Sequence, residues 1–270
     1  MEKKVAIITG ASSGIGEALA YRFGKEGFRL LITGTSEDRI KIVSNNLNKY
    51  NIEYKSLIHD VSKENDNKKM VDFAIKSFGR IDVLICNAGI SIRSLFENVD
   101  LKIFKKLFNI NFFGAIYGTK FSLPYLEKTK GTIIAISSLN GFIATPTRSA
   151  YVASKHAMQG FYDSLRLELL NKQINVMVIS PGYVKSNFRL NTLKSNGRKE
   201  GPSSRDSKKM MDPEFLAKKI FIGYSKKKRN MIFTFKGKLA HLIKNWFPKL
   251  SDRLAYKEIL NENESLLKRN

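Results

Sequence analysis

The amino-acid sequence predicts a doubly wound parallel α/β sheet in a single domain, followed by a basic amphipathic helical extension. Three observations carry that expectation. β-Branched apolar runs alternate with helix-length amphipathic stretches, a glycine-rich turn joins the first such run to the first helix, and the alternation decays after Pro181-Gly182. Alternation of this kind builds repeated βαβ units, because neighbouring parallel strands need a crossover long enough to hold a helix. A length of 270 residues suits one large core better than two small ones.

The strand candidates, in order, are Val5–Thr9, Phe28–Thr33, Glu53–Ile58, Val83–Cys86, Gly131–Ser137 and Asn175–Ile179. They are short and rich in apolar residues, as befits a sheet covered on both faces. Between them, Gly16–Glu26, Glu37–Tyr50 and Ser62–Phe78 are long enough for crossover helices, and a later helix begins near Tyr151 and runs through Leu170. From Asn187 to Asp212 the chain is polar and rich in Ser, Lys, Gly and Asn, which predicts a long loop with room for a short helix. Loops of that length in a compact domain serve as lids or are disordered.

Composition narrows the class. A hydrophobic fraction of 43%, with 18 Phe and 10 Tyr, fills a core and excludes global disorder. A lone cysteine, Cys86, excludes an intrachain disulfide framework and any metal site built on several cysteines, and it fits a reducing compartment. At the end of an apolar strand it reads as a buried, inert thiol. No run approaches the roughly 20 apolar residues that span a bilayer. The first strand starts at Val5, leaving no room for a signal peptide, so a cytoplasmic protein is expected.

The formal charge is +23, and it is uneven: from Lys185 onward, 22 Lys/Arg face 8 Asp/Glu. Within that region Leu239, Leu242, Ile243, Trp246 and Phe247 recur at helical spacing, flanked by Lys236, Lys238 and Lys244. Pro248 then ends that helix, and a second amphipathic stretch runs from Leu250 to Leu260. Two readings stay open: the stripe lies in a membrane interface as a peripheral contact, or it packs on the domain or across the interface of a homo-oligomer. No nucleic-acid module accompanies the Lys226-Lys227-Lys228-Arg229 run, so a specific nucleic-acid partner is not expected.

The chemistry begins at Thr9-Gly10-Ala11-Ser12-Ser13-Gly14-Ile15-Gly16. Glycines between a strand and a helix permit a tight turn and close approach to a pyrophosphate, while the helix N-terminus offers free N–H groups and positive potential. Tyr151 and Lys155 are four residues apart, so on a helix they share a face. A phenol, with an ordinary pKa of about 10, is a poor acid at neutral pH, and a nearby ammonium is expected to lower that value. Tyr151 is then the expected proton donor to a carbonyl oxygen as hydride arrives from a nicotinamide, with Ser138 bonded to the same oxygen.

The G-x-x-x-G-x-G spacing resembles the short-chain dehydrogenase/reductase family, and further stretches match that family in order. These are Asn87-Ala88-Gly89, Asn111, Ser138 placed 13 residues before Tyr151, the Y-x-x-x-K of Tyr151 and Lys155, and Pro181-Gly182. The likeness spans about residues 4–186 and implies a Rossmann-like fold and an NAD(P)-dependent dehydrogenase or reductase. It implies a catalytic set of Asn111, Ser138, Tyr151 and Lys155, with Lys155 also binding the nicotinamide ribose and Asn111 anchoring a water in a proton relay. It implies cofactor contacts at Gly10, Ser12, Ser13, Gly14, Ile15, Gly16, Thr35, Asp60, Val61, Asn87, Ala88, Gly89, Pro181, Gly182 and Ser186. Residues 1–235 are expected to form the dinucleotide-binding catalytic domain and residues 236–270 the helical extension.

Cofactor choice turns on the end of the second strand. Thr33-Gly34-Thr35-Ser36 carries no acid before Glu37, which favours NADP, held by hydroxyls and basic side chains such as Arg39. Thr35 stands where many relatives have arginine, which keeps NAD as the alternative. Asp60 is either an adenine contact or a helix N-cap. Phe142, Ile143, Tyr183 and Phe188 lean toward a hydrophobic alcohol or carbonyl substrate. Two other functions compete: a catalytically silent cofactor-binding scaffold at a membrane surface, and an epimerase or dehydratase of the same broad fold.

Overall fold

The computed structural model describes residues 2–188, 190–201, 210–261 and 266–268; Arg189 and residues 202–209 of the expected loop, and the side chain of Lys236, lie outside the described residues. The strands are β1 (Val5–Ile8), β2 (Arg29–Gly34), β3 (Tyr54–Ile58), β4 (Val83–Cys86), β5 (Thr132–Ile136), β6 (Asn175–Ser180) and β7 (Asn230–Ile232). The helices are α1 (Gly14–Lys25), α2 (Glu37–Lys49), α3 (Glu64–Phe78), α4 (Leu101–Phe108), α5 (Gly114–Thr129), α6 (Ser149–Glu168), α7 (Pro213–Ser225), α8 (Phe235–Trp246) and α9 (Pro248–Leu260).

In β1 all four side chains are buried. Successive strand residues point to opposite faces, so Ala6 and Ile8 enter one core and Val5 and Ile7 the other. The first core holds Leu19 and Phe23 of α1, Val43 and Leu47 of α2, and Leu216 and Ile220 of α7. The second holds Met70 of α3, Leu126 of α5, and Met158 and Tyr162 of α6. Helices therefore cover both faces of the sheet, as the apolar runs require.

The strands pair in parallel in the order β3-β2-β1-β4-β5-β6-β7. The chain steps outward from β1 to β3, then returns to place β4 beside β1, so the order reverses between those two strands. At such a switch point the loops after the strands part and leave a crevice. Thr9 ties its two rims together: its hydroxyl accepts from the N–H groups of Asn87 (3.0 Å) and Ala88 (3.2 Å), and Asn87 Nδ2 donates to the carbonyls of Thr9 and Gly10 at 3.0 Å each.

Three features go beyond the sequence pattern. The edge strand β7, three residues long, follows a run of lysines too closely to leave an apolar pattern. Helix α7 is started by Asp212, whose carboxylate accepts from the N–H groups of Glu214 and Phe215. Helices α4 and α5 are joined by a π-helical turn, Asn109–Phe113, which carries Asn111. The expected 187–212 loop contains no helix among its described residues, and it is pinned: Leu193 pairs with Ile92, and Arg93 makes an ion pair with Glu200 at 2.9 Å.

Pro248 lies in the first turn of α9, while Phe247 closes α8. The side of α8 that meets the body is the polar one. Gly237 is packed on Leu139, the His241 ring lies 4.6 Å from the Phe142 ring, and Lys244 Nζ donates to the Phe142 carbonyl. Leu239, Leu242, Trp246 and Phe247 face outward, while Ile243 of the same stripe is partly buried. No helix among the described residues is long and apolar enough to cross a membrane.

Candidate active site

The turn after β1 must reverse to feed α1, and its glycines serve different ends. Gly10 and Gly14 adopt left-handed backbone, at φ 64° and 59°. Close approach constrains them as well: a Cβ on Gly10 would lie 2.8 Å from Ala88 Cα, and one on Gly14 would lie 2.7 Å from Ser186 Cβ. Gly16 is not in the cavity wall. A Cβ there would come within 2.3 Å of the Gly10 carbonyl oxygen, so this glycine lets α1 lie against the turn.

At the switch point lies a cavity of about 810 Å³, within the range of cofactor and substrate sites. Gly10, Ser12, Ser13, Gly14 and Ile15 line one wall, and Ser13 makes no side-chain cap on α1, so the first-turn N–H groups of the helix remain open to an anion. Thr35 and Val61 line it as expected, together with Gly34, Ser36, Arg39 and His59. Asp60 is also there, but one carboxylate oxygen accepts from the N–H (3.0 Å) and hydroxyl (2.7 Å) of Ser62, closing a tight turn before α3. Asn87, Ala88, Gly89, Pro181, Gly182 and Ser186 complete the cofactor set in the wall. The glycine cradle and the open helix N-terminus fit the pyrophosphate of a dinucleotide.

Ser138, Tyr151 and Lys155 face the same cavity. Ser138 opens a short 3₁₀ turn, its hydroxyl accepting from Asn140 N–H at 3.1 Å. Tyr151 and Lys155 stand in the first two turns of α6, both buried, with the Lys155 ammonium 5.9 Å from the centre of the Tyr151 ring. The expected acidification of the phenol by this lysine does not occur here. Burial raises the Tyr151 pKa above its ordinary value, Ser138 and the Arg148 guanidinium pull it down, and Tyr183 adds to the rise. The Lys155 ammonium donates to the Ile136 carbonyl at 2.9 Å, and burial lowers its own pKa to about 8. The phenol is therefore held neutral, the form that can give a proton.

Asn111 is fully buried and lies outside the cavity wall. Its Nδ2 donates to the Ile90 carbonyl (2.9 Å) and the Ser154 hydroxyl (3.0 Å), and its Oδ1 accepts from Ile90 N–H (2.8 Å). Both amide hydrogens are committed, so the side chain pins the turn after Gly89. Ile143, Tyr183 and Phe188 line the cavity together with Ile90, the Phe188 ring 6.2 Å from that of Tyr151, whereas Phe142 lies outside the wall with its ring 4.6 Å from that of His241. Sequence reasoning missed Thr192, Leu193 and Lys199 of the long loop, and Glu258, which reaches the cavity from α9. No motif marks them, because they arrive through tertiary packing of loop and tail.

Residues 4–196 match the family model for short chain dehydrogenases. The chain is 35% identical over 253 residues to the Drosophila melanogaster dehydrogenase/reductase SDR family protein 7-like, covering 92% of this chain and 78% of that protein. It is 40% identical over 185 residues to the Arabidopsis thaliana 11-beta-hydroxysteroid dehydrogenase-like 4A, covering 68% of this chain and 62% of that one. Among solved structures, a short chain dehydrogenase/reductase from Burkholderia phymatum in complex with NAD superposes with a TM-score of 0.83 at 20% identity, over 92% of this chain and 95% of that chain. An alcohol dehydrogenase from the archaeon Thermococcus sibiricus, complexed with 5-hydroxy-NADP, gives 0.76 at 24% identity, over 86% and 96%.

Proposed function

The chain belongs to the short-chain dehydrogenase/reductase family and is a nicotinamide-dependent oxidoreductase, and we propose that it uses NADP on a hydrophobic alcohol or carbonyl substrate with Tyr151 as the proton donor. The observation that carries this is the buried, neutral phenol of Tyr151 facing, with Ser138, the cavity that begins at the glycine turn. The bound nicotinamide supplies or accepts the hydride. Tyr151 gives its proton to the carbonyl oxygen in reduction and takes it back from the alcohol in oxidation. Ser138 donates a hydrogen bond to the same oxygen.

Lys155, held by the Ile136 carbonyl, is placed to bond a ribose hydroxyl and to replace the Tyr151 proton through it. Asn111 acts as a positioning residue, keeping Ile90 and the adjacent Gly89 in place beside Lys155. Thr35, Ser36 and Arg39 are proposed to take the extra phosphate of NADP with hydroxyl donors and a guanidinium that line the cavity. The apolar side chains Ile90, Ile143 and Phe188 support a hydrophobic substrate. Residues 1–235 carry these functions and residues 236–270 form the extension. Fluorescence titration with NADPH and NADH, followed by turnover on carbonyl compounds of graded chain length, tests this. Tighter NADPH binding and kcat/KM rising with chain length are expected; preference for NADH or for short polar carbonyls would refute the corresponding part.

A further inference from the structure

An amphipathic helix on a soluble body turns its apolar face inward. Helix α8 does the reverse. Gly237, His241 and Lys244 meet the body, whereas Trp246 is 78% exposed, Phe247 64% and Leu242 55%. Helix α9 continues the apolar surface with exposed Leu250 and Leu254. Contiguous apolar surface of this kind in water marks a contact that covers it.

We propose that the outer face of α8 and α9 is a docking surface for an anionic lipid bilayer. Charge selects that occupant. Exposed Lys238, Lys249, Arg253 and Lys257 lie on the same two helices, and the Lys226-Lys227-Lys228-Arg229 run precedes β7 nearby in the chain. A second copy of the chain would bring +23 against +23, a repulsion that opposes a symmetric dimer through this face. A bilayer bearing negative headgroups satisfies both requirements: basic side chains meet the headgroups, while Trp and Leu enter the headgroup–acyl boundary.

The same two helices border the cavity. Gly237 of α8 packs on Leu139, a residue of the cavity wall, and Glu258 of α9 lies in that wall. Docking would hold the substrate site beside the lipid, where a hydrophobic carbonyl compound concentrates. The docking surface itself stands independently of the proposed substrate.

Trp246 is the one tryptophan of the chain, so the full-length protein carries its own probe. Its emission should shift to the blue on adding phosphatidylcholine vesicles that contain phosphatidylglycerol, and much less on phosphatidylcholine alone, with added salt weakening the response. The Leu239→Glu/Leu242→Glu variant alters exposed positions and leaves the probe in place; it should lose at least about tenfold in vesicle affinity while binding NADPH as the wild type does. Emission of the wild type unmoved by anionic vesicles would overturn the proposal. So would a concentration-dependent blue shift without lipid that tracks dimer formation by light scattering. NADPH affinity and turnover, measured separately, report on the proposed oxidoreductase and do not depend on this result.

Discussion

Replacing Lys155 with methionine should make the cofactor-free protein more stable while removing its activity. In the folded chain burial lowers the lysine pKa from 10.5 to about 8. At about 1.4 kcal/mol per pH unit, keeping that ammonium buried at neutral pH costs about 3 kcal/mol. Methionine fills similar space without charge and gives up the 2.9 Å bond to the Ile136 carbonyl, a loss of about 1 kcal/mol. The net gain of about 2 kcal/mol corresponds to a melting temperature roughly 4–8 °C higher. The pH dependence has a defined sign. Between about 8 and 10.5 the unfolded chain binds more protons at this site than the folded chain, so the wild-type penalty is full below about 8 and is relieved as pH rises. By pH 10 it falls below about 1 kcal/mol, and the advantage of the variant should vanish. Thermal unfolding of both proteins at pH 7 and pH 10, without cofactor, measures this. A variant no more stable at pH 7, or equally advantaged at both pH values, would refute the buried-charge account.

Two further perturbations probe the cofactor side. Thr35→Asp places a carboxylate at the end of β2, where Thr35, Ser36 and Arg39 line the cavity; NADPH affinity should fall by about tenfold or more while NADH affinity holds or improves, and equal losses for both would remove Thr35 from the phosphate site. Gly16→Ala forces a Cβ within 2.3 Å of the Gly10 carbonyl, which should cost about 1–3 kcal/mol in denaturant unfolding and weaken NADPH binding by moving the turn. Unchanged stability would show that α1 shifts freely there.

Much of the sheet was legible because its central strands are buried on both sides. Val5–Ile8 and Val83–Cys86 carry no polar residue, and the crossover helices between strands have a clear apolar face. β7 was not legible, since three half-exposed residues at a sheet edge carry no periodic signal. Spacing put Tyr151 and Lys155 on one helix face but could not aim their side chains: the lysine found the Ile136 carbonyl, 19 residues earlier. Asn111 was legible as a position, whereas its two-way bond with the backbone of Ile90 depends on how the π-helical turn sits against the loop after β4. In the tail, periodicity revealed an apolar stripe but not its direction. The contacts that rotate it outward, Gly237 on Leu139 and Lys244 on Phe142, are long-range and leave no pattern in sequence.

In the proposed mechanism Tyr151 supplies the proton from a buried neutral phenol. Tyr151→Phe keeps the ring against Phe188 and the surrounding apolar cluster and deletes only the hydroxyl. With a carbonyl substrate identified by NADPH oxidation, kcat should drop by about 10²–10⁴-fold while NADPH binding by fluorescence stays at the wild-type level. Turnover at the wild-type rate by the folded, NADPH-bound variant would contradict the claim.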